Sequence, residues 1–166
     1  MQPVMTSPVQ PSSSESETNP WLAKSKRWAV VYVRIALGTA FLSAVAARFG
    51  LWKGDFGLRH FSGFLDYAGQ VLSFLPPVLV PPLAWIATAL ETTLGILLIC
   101  GIALRWASLA SSVLLACFGI SMAISFGLQS PMDYSVFSAS AAALLLAHHA
   151  FERNLSPRNL HGGSTS

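Results

Sequence analysis

The sequence predicts an all-α membrane protein: a four-transmembrane-helix bundle with an additional amphipathic interfacial helix between helices one and two. Three observations carry this. First, the chain of 166 residues is 53% hydrophobic and only 10% charged, where an ordinary soluble domain is about 25% charged. Too few polar groups remain to cover a water-facing surface, so lipid is the expected solvent for much of it. Second, four apolar runs each approach the roughly 20 residues that cross a hydrocarbon core about 30 Å thick. Third, the basic residues sit mostly at the ends of those runs, where they anchor and orient membrane helices. A net charge of +3 spread in this way excludes the dense basic patch of a nucleic-acid binder.

Residues 1–24 read as a polar N-terminal tail. Its first 20 residues are rich in Ser, Pro, Thr and Gln, and hold Glu15 and Glu17 but no Lys or Arg. Such a stretch buries too little apolar surface to offset its ordering entropy and is expected to be disordered. Lys24, Lys26 and Arg27 then lead into the first run, about residues 28–49. This run also has the marks of a signal peptide: a basic start, an apolar stretch, and Ala44 and Ala46 in an A-x-A arrangement. Arg34 interrupts the stretch and a polar tail precedes the basic cluster, so a retained first helix is the favoured reading. Cleavage before Ala47 would leave three spans.

The other spans are expected at about residues 83–103, 106–128 and 132–151, within a membrane domain of residues 25–152 followed by a short tail, 153–166. Leu104 and Arg105 turn the second span into the third. Residues 129–133 turn the third into the fourth with a helix-start signature: Ser130 as N-cap, Pro131 at the first position and Asp133 three residues after the cap. Between the first two spans, Phe61, Phe64, Leu65, Ala68, Val71, Leu72 and Leu75 recur at helical spacing, with Ser62, Asp66, Gln70 and Ser73 toward the other side. This predicts an amphipathic helix over about 60–75, lying in the membrane interface or packed as a loop over the bundle mouth. Pro76-Pro77 ends it and Pro81-Pro82 opens the second span.

The positive-inside rule sets the orientation. With both termini cytoplasmic, Lys24, Lys26, Arg27, Arg105, Arg153 and Arg158 fall inside, against Lys53, Arg59 and Arg48 outside. Trp28, Trp52, Trp85 and Trp106 lie near the predicted boundaries, as aromatic anchors do. Small residues in helices one, three and four suggest close helix packing.

The residues most able to carry chemistry are Arg34 and Glu91, both inside apolar runs. An ionised group at a helix centre costs about 2.5–3.5 kcal/mol or more, so each needs a partner. Arg34 lies roughly 9 Å from one boundary and Glu91 roughly 12 Å from the other, which makes an Arg34–Glu91 pair the leading expectation. Arg48 is the competing partner for Glu91, and Asp133 is an alternative acid for Arg48. Two readings of such a pair stand side by side: it fixes helix register only, or it lines a polar pocket that binds a small molecule or moves a proton.

His148 and His149 point about 100° apart on a helix, and no spaced ligand set accompanies them, so no metal site is expected. Cys100 and Cys117 are too far apart for a disulfide across the Leu104-Arg105 hairpin and read as buried, inert thiols. No Walker loop, dinucleotide fingerprint, hydrolase elbow or HExxH motif occurs.

Several ordered motifs resemble the DoxX family over about residues 30–150. They are Arg34-Ile35-Ala36-Leu37-Gly38 followed by Phe41-Leu42, Arg48-Phe49-Gly50-Leu51-Trp52, Leu90-Glu91-Thr92-Thr93-Leu94-Gly95, Gly101 with Arg105, and the run Ser130 to Ser138. The resemblance implies a four-helix protein of the bacterial inner membrane linked to redox metabolism, with Arg34 and Glu91 at recurrent charged positions. Its relatives include a thiosulfate:quinone oxidoreductase subunit and a membrane partner of soluble thiol and superoxide enzymes.

Two functions follow as expectations. One is a membrane subunit or anchor of a quinone- or thiol-linked redox system, not catalytic alone, binding quinone near Arg34 and Glu91 while an oxidoreductase partner carries the cofactor. The other is a small-molecule transporter or channel component acting as a homo-oligomer. A blander alternative is a scaffold that recruits partners.

Overall fold

A computed structural model describes residues 20–155. Residues 1–19 of the expected disordered tail, and Arg158, lie outside them, whereas residues 20–24 of that tail form the start of a helix. All regular structure among the described residues is helical: α1 Pro20–Arg48, α2 Phe61–Val71, α3 Val80–Cys100, α4 Leu104–Phe126, α5 Gln129–Asp133 and α6 Val136–Leu155, with short 3-10 turns before α2 and α3.

Three helices are long and apolar enough to cross a membrane: Lys24–Arg48, Pro77–Cys100 and Leu104–Phe126. The chain is therefore a multi-pass helical membrane protein. The expected fourth span is not among them. The helix in its place, α6, carries His148, His149, Glu152 and Arg153 within its last turns, which lowers its apolar character.

Element boundaries also shift. The Ser130-Pro131-Asp133 signature opens not the last long helix but the separate five-residue α5, which has no side-chain cap. Ser135 then adopts φ 53°, a left-handed conformation that breaks the helix before α6 starts at Val136. At its other end, α3 stops three residues earlier than the apolar pattern suggests. Gly101 sits at φ 72° and its N–H closes onto carbonyls of the last turn, a glycine helix stop.

Contacts pair the helices antiparallel. Along α1 and α3, Arg34 meets Leu98 and Ile99, Gly38 meets Gly95, and Arg48 meets Glu91. Along α4 and α6, Trp106 meets Phe151, Ser112 meets Ser140, and Gly119 meets Phe137. The 101–103 turn, the start of α1 and the end of α6 thus share one end of the molecule, and α2 and α5 the other.

One apolar core joins Leu37 and Phe41 of α1, Leu94 and Leu98 of α3, Ala107 of α4, and Ala143 and Leu146 of α6. The closest approach is at Gly38, where a Cβ would stand 2.9 Å from the Gly95 carbonyl oxygen and 2.6 Å from Ile99. Small residues here let backbones meet, the packing that lipid cannot supply hydrophobically. A second core of Phe61, Ala68, Val80 and Ala84 seats α2 on the start of α3. Phe61 stacks on Trp85 at 4.2 Å between centroids. At the far end of α2, Ser125 of α4 donates to the Val71 carbonyl at 2.6 Å. Large apolar side chains such as Ile86, Leu90, Val113, Ile120 and Ile124 remain exposed around the outside, as a lipid-facing surface requires.

Candidate functional site

The acid buried in the middle of α3, Glu91, is 1% exposed and pairs with Arg48 at 2.7 Å. Arg34 does not reach it, which corrects the leading sequence expectation. The reason is side-chain direction. In a helix the Cα–Cβ bonds tilt toward the N-terminus. Because α1 and α3 run antiparallel, Arg34 leans away from Glu91, while Arg48 and Glu91 lean toward each other.

Arg48 is held from three sides. One amino group donates to Glu91 Oε1, the other donates to Thr88 Oγ1 at 2.9 Å, and the Phe64 ring lies 3.9 Å from the guanidinium carbon. Thr88 in turn donates to the Ala84 carbonyl at 2.8 Å. Sequence reading passed over Thr88, although it stands three residues from Glu91 on the same helix face, a spacing that marks neighbours. Asp133, the alternative acid for Arg48, is exposed on α5 and makes no ion pair with it.

Two cavities adjoin this pair: Arg48 lines both, and Glu91 lines only the smaller. The larger, about 410 Å³, lies under α2 and is walled mainly by apolar residues of α2, α3 and α4, including Phe64, Tyr67, Leu83 and Met122. The smaller, about 200 Å³, is lined by Leu37, Phe41 and Ala44 of α1, by Glu91, and by Ala139. Arg48, Leu115 and Phe118 belong to both walls. Glu91 Oε2 is buried without a hydrogen-bond partner, one of two such side-chain atoms among the described residues. The other, Ser108 Oγ, lines neither cavity. A buried carboxyl normally has both oxygens satisfied, so Oε2 is an acceptor that the surrounding side chains do not engage. Tyr67, on the wall of the larger cavity, has its phenol pushed up by burial and, less, by Tyr134, so it stays protonated.

The other expected residues are dispersed. Arg34 donates from Nε to Leu98 O and from Nη2 to Ile99 O, both at 3.1 Å, and so caps the end of α3. His148 is exposed and pairs with exposed Glu152 at 3.1 Å. His149 lies near Arg34 at the opposite end from Arg48. Among the described residues no group of three His, Cys, Asp or Glu could hold a metal ion. Cys100 and Cys117 are free but exposed, which corrects the expectation of buried thiols. Outside the spans, Arg59 and His60 hydrogen-bond Asp55. The Arg59 guanidinium, ahead of His60, holds the Asp55 carboxyl below its ordinary value.

Fold and site together define a multi-pass helical membrane protein with a buried arginine–glutamate pair between two cavities. Residues 26–133 match the family described as methylamine utilisation protein MauE, about two thirds of the chain, and the chain belongs to that family. This replaces the resemblance to DoxX. The motifs behind that resemblance, R-x-x-x-G and L-E-x-x-x-G, encode the Gly38–Gly95 approach and a buried acid, which are features of helix packing and not a family label. The match ends before α6. No curated protein and no solved structure matches the chain.

Proposed function

We propose that this protein is a membrane component of a redox-linked system that holds a quinone-class ligand beside Glu91. The observation that carries the proposal is the buried, unpartnered Glu91 Oε2 at a cavity wall shared with Arg48. The 410 Å³ cavity, lined by Arg48 but not by Glu91, falls within the usual range of small-molecule sites, about 300–1,000 Å³, and is mostly apolar with few polar groups. It would hold the body of the ligand, and the adjoining 200 Å³ cavity would bring a polar end to Glu91. Arg48 has five N–H donors, of which Glu91 and Thr88 engage one each. Those left can donate to a quinone carbonyl, and Glu91 Oε2 can accept from a quinol hydroxyl. The chain supplies binding and orientation, and the electrons come from an oxidoreductase partner. The family's link to methylamine utilisation, an oxidative process, supports a redox setting over a transport role.

In this reading α6 is the fourth span. Its 20 residues are about 30 Å long, and Leu144 and Leu145 face outward from it. Retention of α1 is supported by Leu37 and Phe41, which fill the core. The positive-inside distribution supports cytoplasmic termini in a bacterial inner membrane, with α2 in the opposite interface.

The test is saturable binding of a short-chain quinone analogue to the purified full-length protein in lipid nanodiscs. Glu91→Gln and Arg48→Gln should each weaken binding about tenfold or more, equal to ~1.4 kcal/mol. Absence of saturable binding, or binding unchanged in both variants, contradicts the proposal.

A further inference from the structure

A second cleft, about 490 Å³, lies at the end of the molecule away from Glu91, lined by Arg34, Arg105, His149, Arg153 and the Gly101–Leu104 turn. Three helices build it. Arg34 comes from α1, Arg105 from the first turn of α4, and His149 and Arg153 from adjacent turns of α6. No carboxylate lines it, and among the described residues none of the three arginines has an acidic partner. The nearest acid in sequence, Glu152, is paired with His148.

The arrangement is built, not merely a charged rim. The Arg34 guanidinium is fixed by the Leu98 and Ile99 carbonyls. It occupies the space where a Cβ on residue 101 would fall, 2.2 Å from its Nη2. Arg105 lies over the Trp106 and Phe151 rings at 5.6 and 5.9 Å. The start of α4, 23 residues long with no acidic residue in its first turn, adds the partial positive charge of a helix N-terminus. Arginine forks match the geometry of phosphate oxygens. We propose that this cleft binds a phosphate group of net negative charge, carried by an anionic phospholipid headgroup or by a free anion, and not the zwitterionic headgroup of phosphatidylcholine.

The full-length protein is placed in nanodiscs of phosphatidylcholine alone, or with phosphatidylglycerol as one lipid in five. Phosphatidylglycerol retained on the protein is read by native mass spectrometry. In phosphatidylcholine alone, inorganic phosphate is titrated against the melting temperature. Retention in the first arm assigns a lipid headgroup, and a saturable shift in the second assigns a free anion. In either arm the R105Q/R153Q double variant should lose binding about tenfold. Both side chains are exposed, so the variant should fold. A K24Q/K26Q variant, altered outside the cleft, should bind as wild type. Binding in neither arm, undiminished binding by R105Q/R153Q, or an equal loss in K24Q/K26Q overturns the proposal.

Discussion

Arg34 and Arg48 stand on the same helix, four turns apart, and meet opposite fates. Arg48 turns into the protein and neutralises a buried acid. Arg34 turns toward the end of α3 and donates to the Leu98 and Ile99 carbonyls of its last turn, the first of which also accepts from Gly101 N–H. The difference is one of polarity, not of depth. On a helix antiparallel to its neighbour, a long side chain reaches toward its own N-terminus, so the deeper partner belongs to the arginine nearer the C-terminus. One arginine thereby stabilises the molecule's interior, and the other leaves part of its charge for the cleft at the opposite end.

The largest expected effect tests this directly. Arg48→Met leaves Glu91 buried and unpaired and should cost about 3–5 kcal/mol, the size seen when one partner of a buried pair is removed. Arg34→Met should cost only about 0.3–1 kcal/mol, the worth of a cation at a helix C-terminus. Thermal unfolding of both variants in one detergent gives the comparison, and equal losses would break it.

Next in size is Gly38→Val. Its Cβ would meet the Gly95 carbonyl oxygen and Ile99, so α1 and α3 must separate at a cost of about 1–3 kcal/mol. The displacement should also move Arg48 relative to Glu91 and weaken quinone-analogue binding. A variant as stable as wild type would contradict the observed approach of the two backbones.

Gly101→Ala follows. A left-handed φ costs a non-glycine residue about 1–2 kcal/mol, and the new Cβ would strike Arg34. Combining it with Arg34→Met removes the clash, so the double variant should lose less than the sum of the two single losses. Additive losses would show that Arg34 does not occupy that space.

The length of the apolar runs revealed an all-helical membrane protein and the course of its three most apolar helices, because lipid-facing and core-facing residues are both apolar here. It did not show the breaks at Ser135 and Ala103, since positive φ at a non-glycine residue leaves no compositional mark. It also blurred α6, whose polar last turns lie at an end and not in the middle. Of the site, Glu91 and Arg34 were legible as costly charges in apolar runs, and Arg48 only as a competing partner at the membrane edge. Their pairing was not, because an axial distance ignores the direction in which side chains lean. The cavities were invisible, being made by residues from several helices that are each unremarkable alone.

The smallest expected effect lies outside the spans. The Asp55 carboxyl is held down chiefly by Arg59. A depressed carboxylate contributes stability that is present above its unfolded value, about 3.9, and lost as pH falls through the lower folded value. Asp55→Asn should therefore cost a little at neutral pH, where the contribution is present, and nothing at low pH, where it has already been lost; the effect is small because the pair is exposed. A loss as large at low pH as at neutral pH would show that Asp55 acts through something other than its charge.

A double-mutant cycle decides between the two arginines most directly. Reversible unfolding is measured for Arg48→Met, Arg34→Met and Glu91→Met, and for each arginine variant combined with Glu91→Met. Residues in contact couple by about 0.5–3 kcal/mol, whereas independent sites add within about 0.5 kcal/mol. Coupling of Arg48 to Glu91 in that range, with Arg34 additive, is the expected result. Coupling between Arg34 and Glu91, with Arg48 additive, would contradict the account.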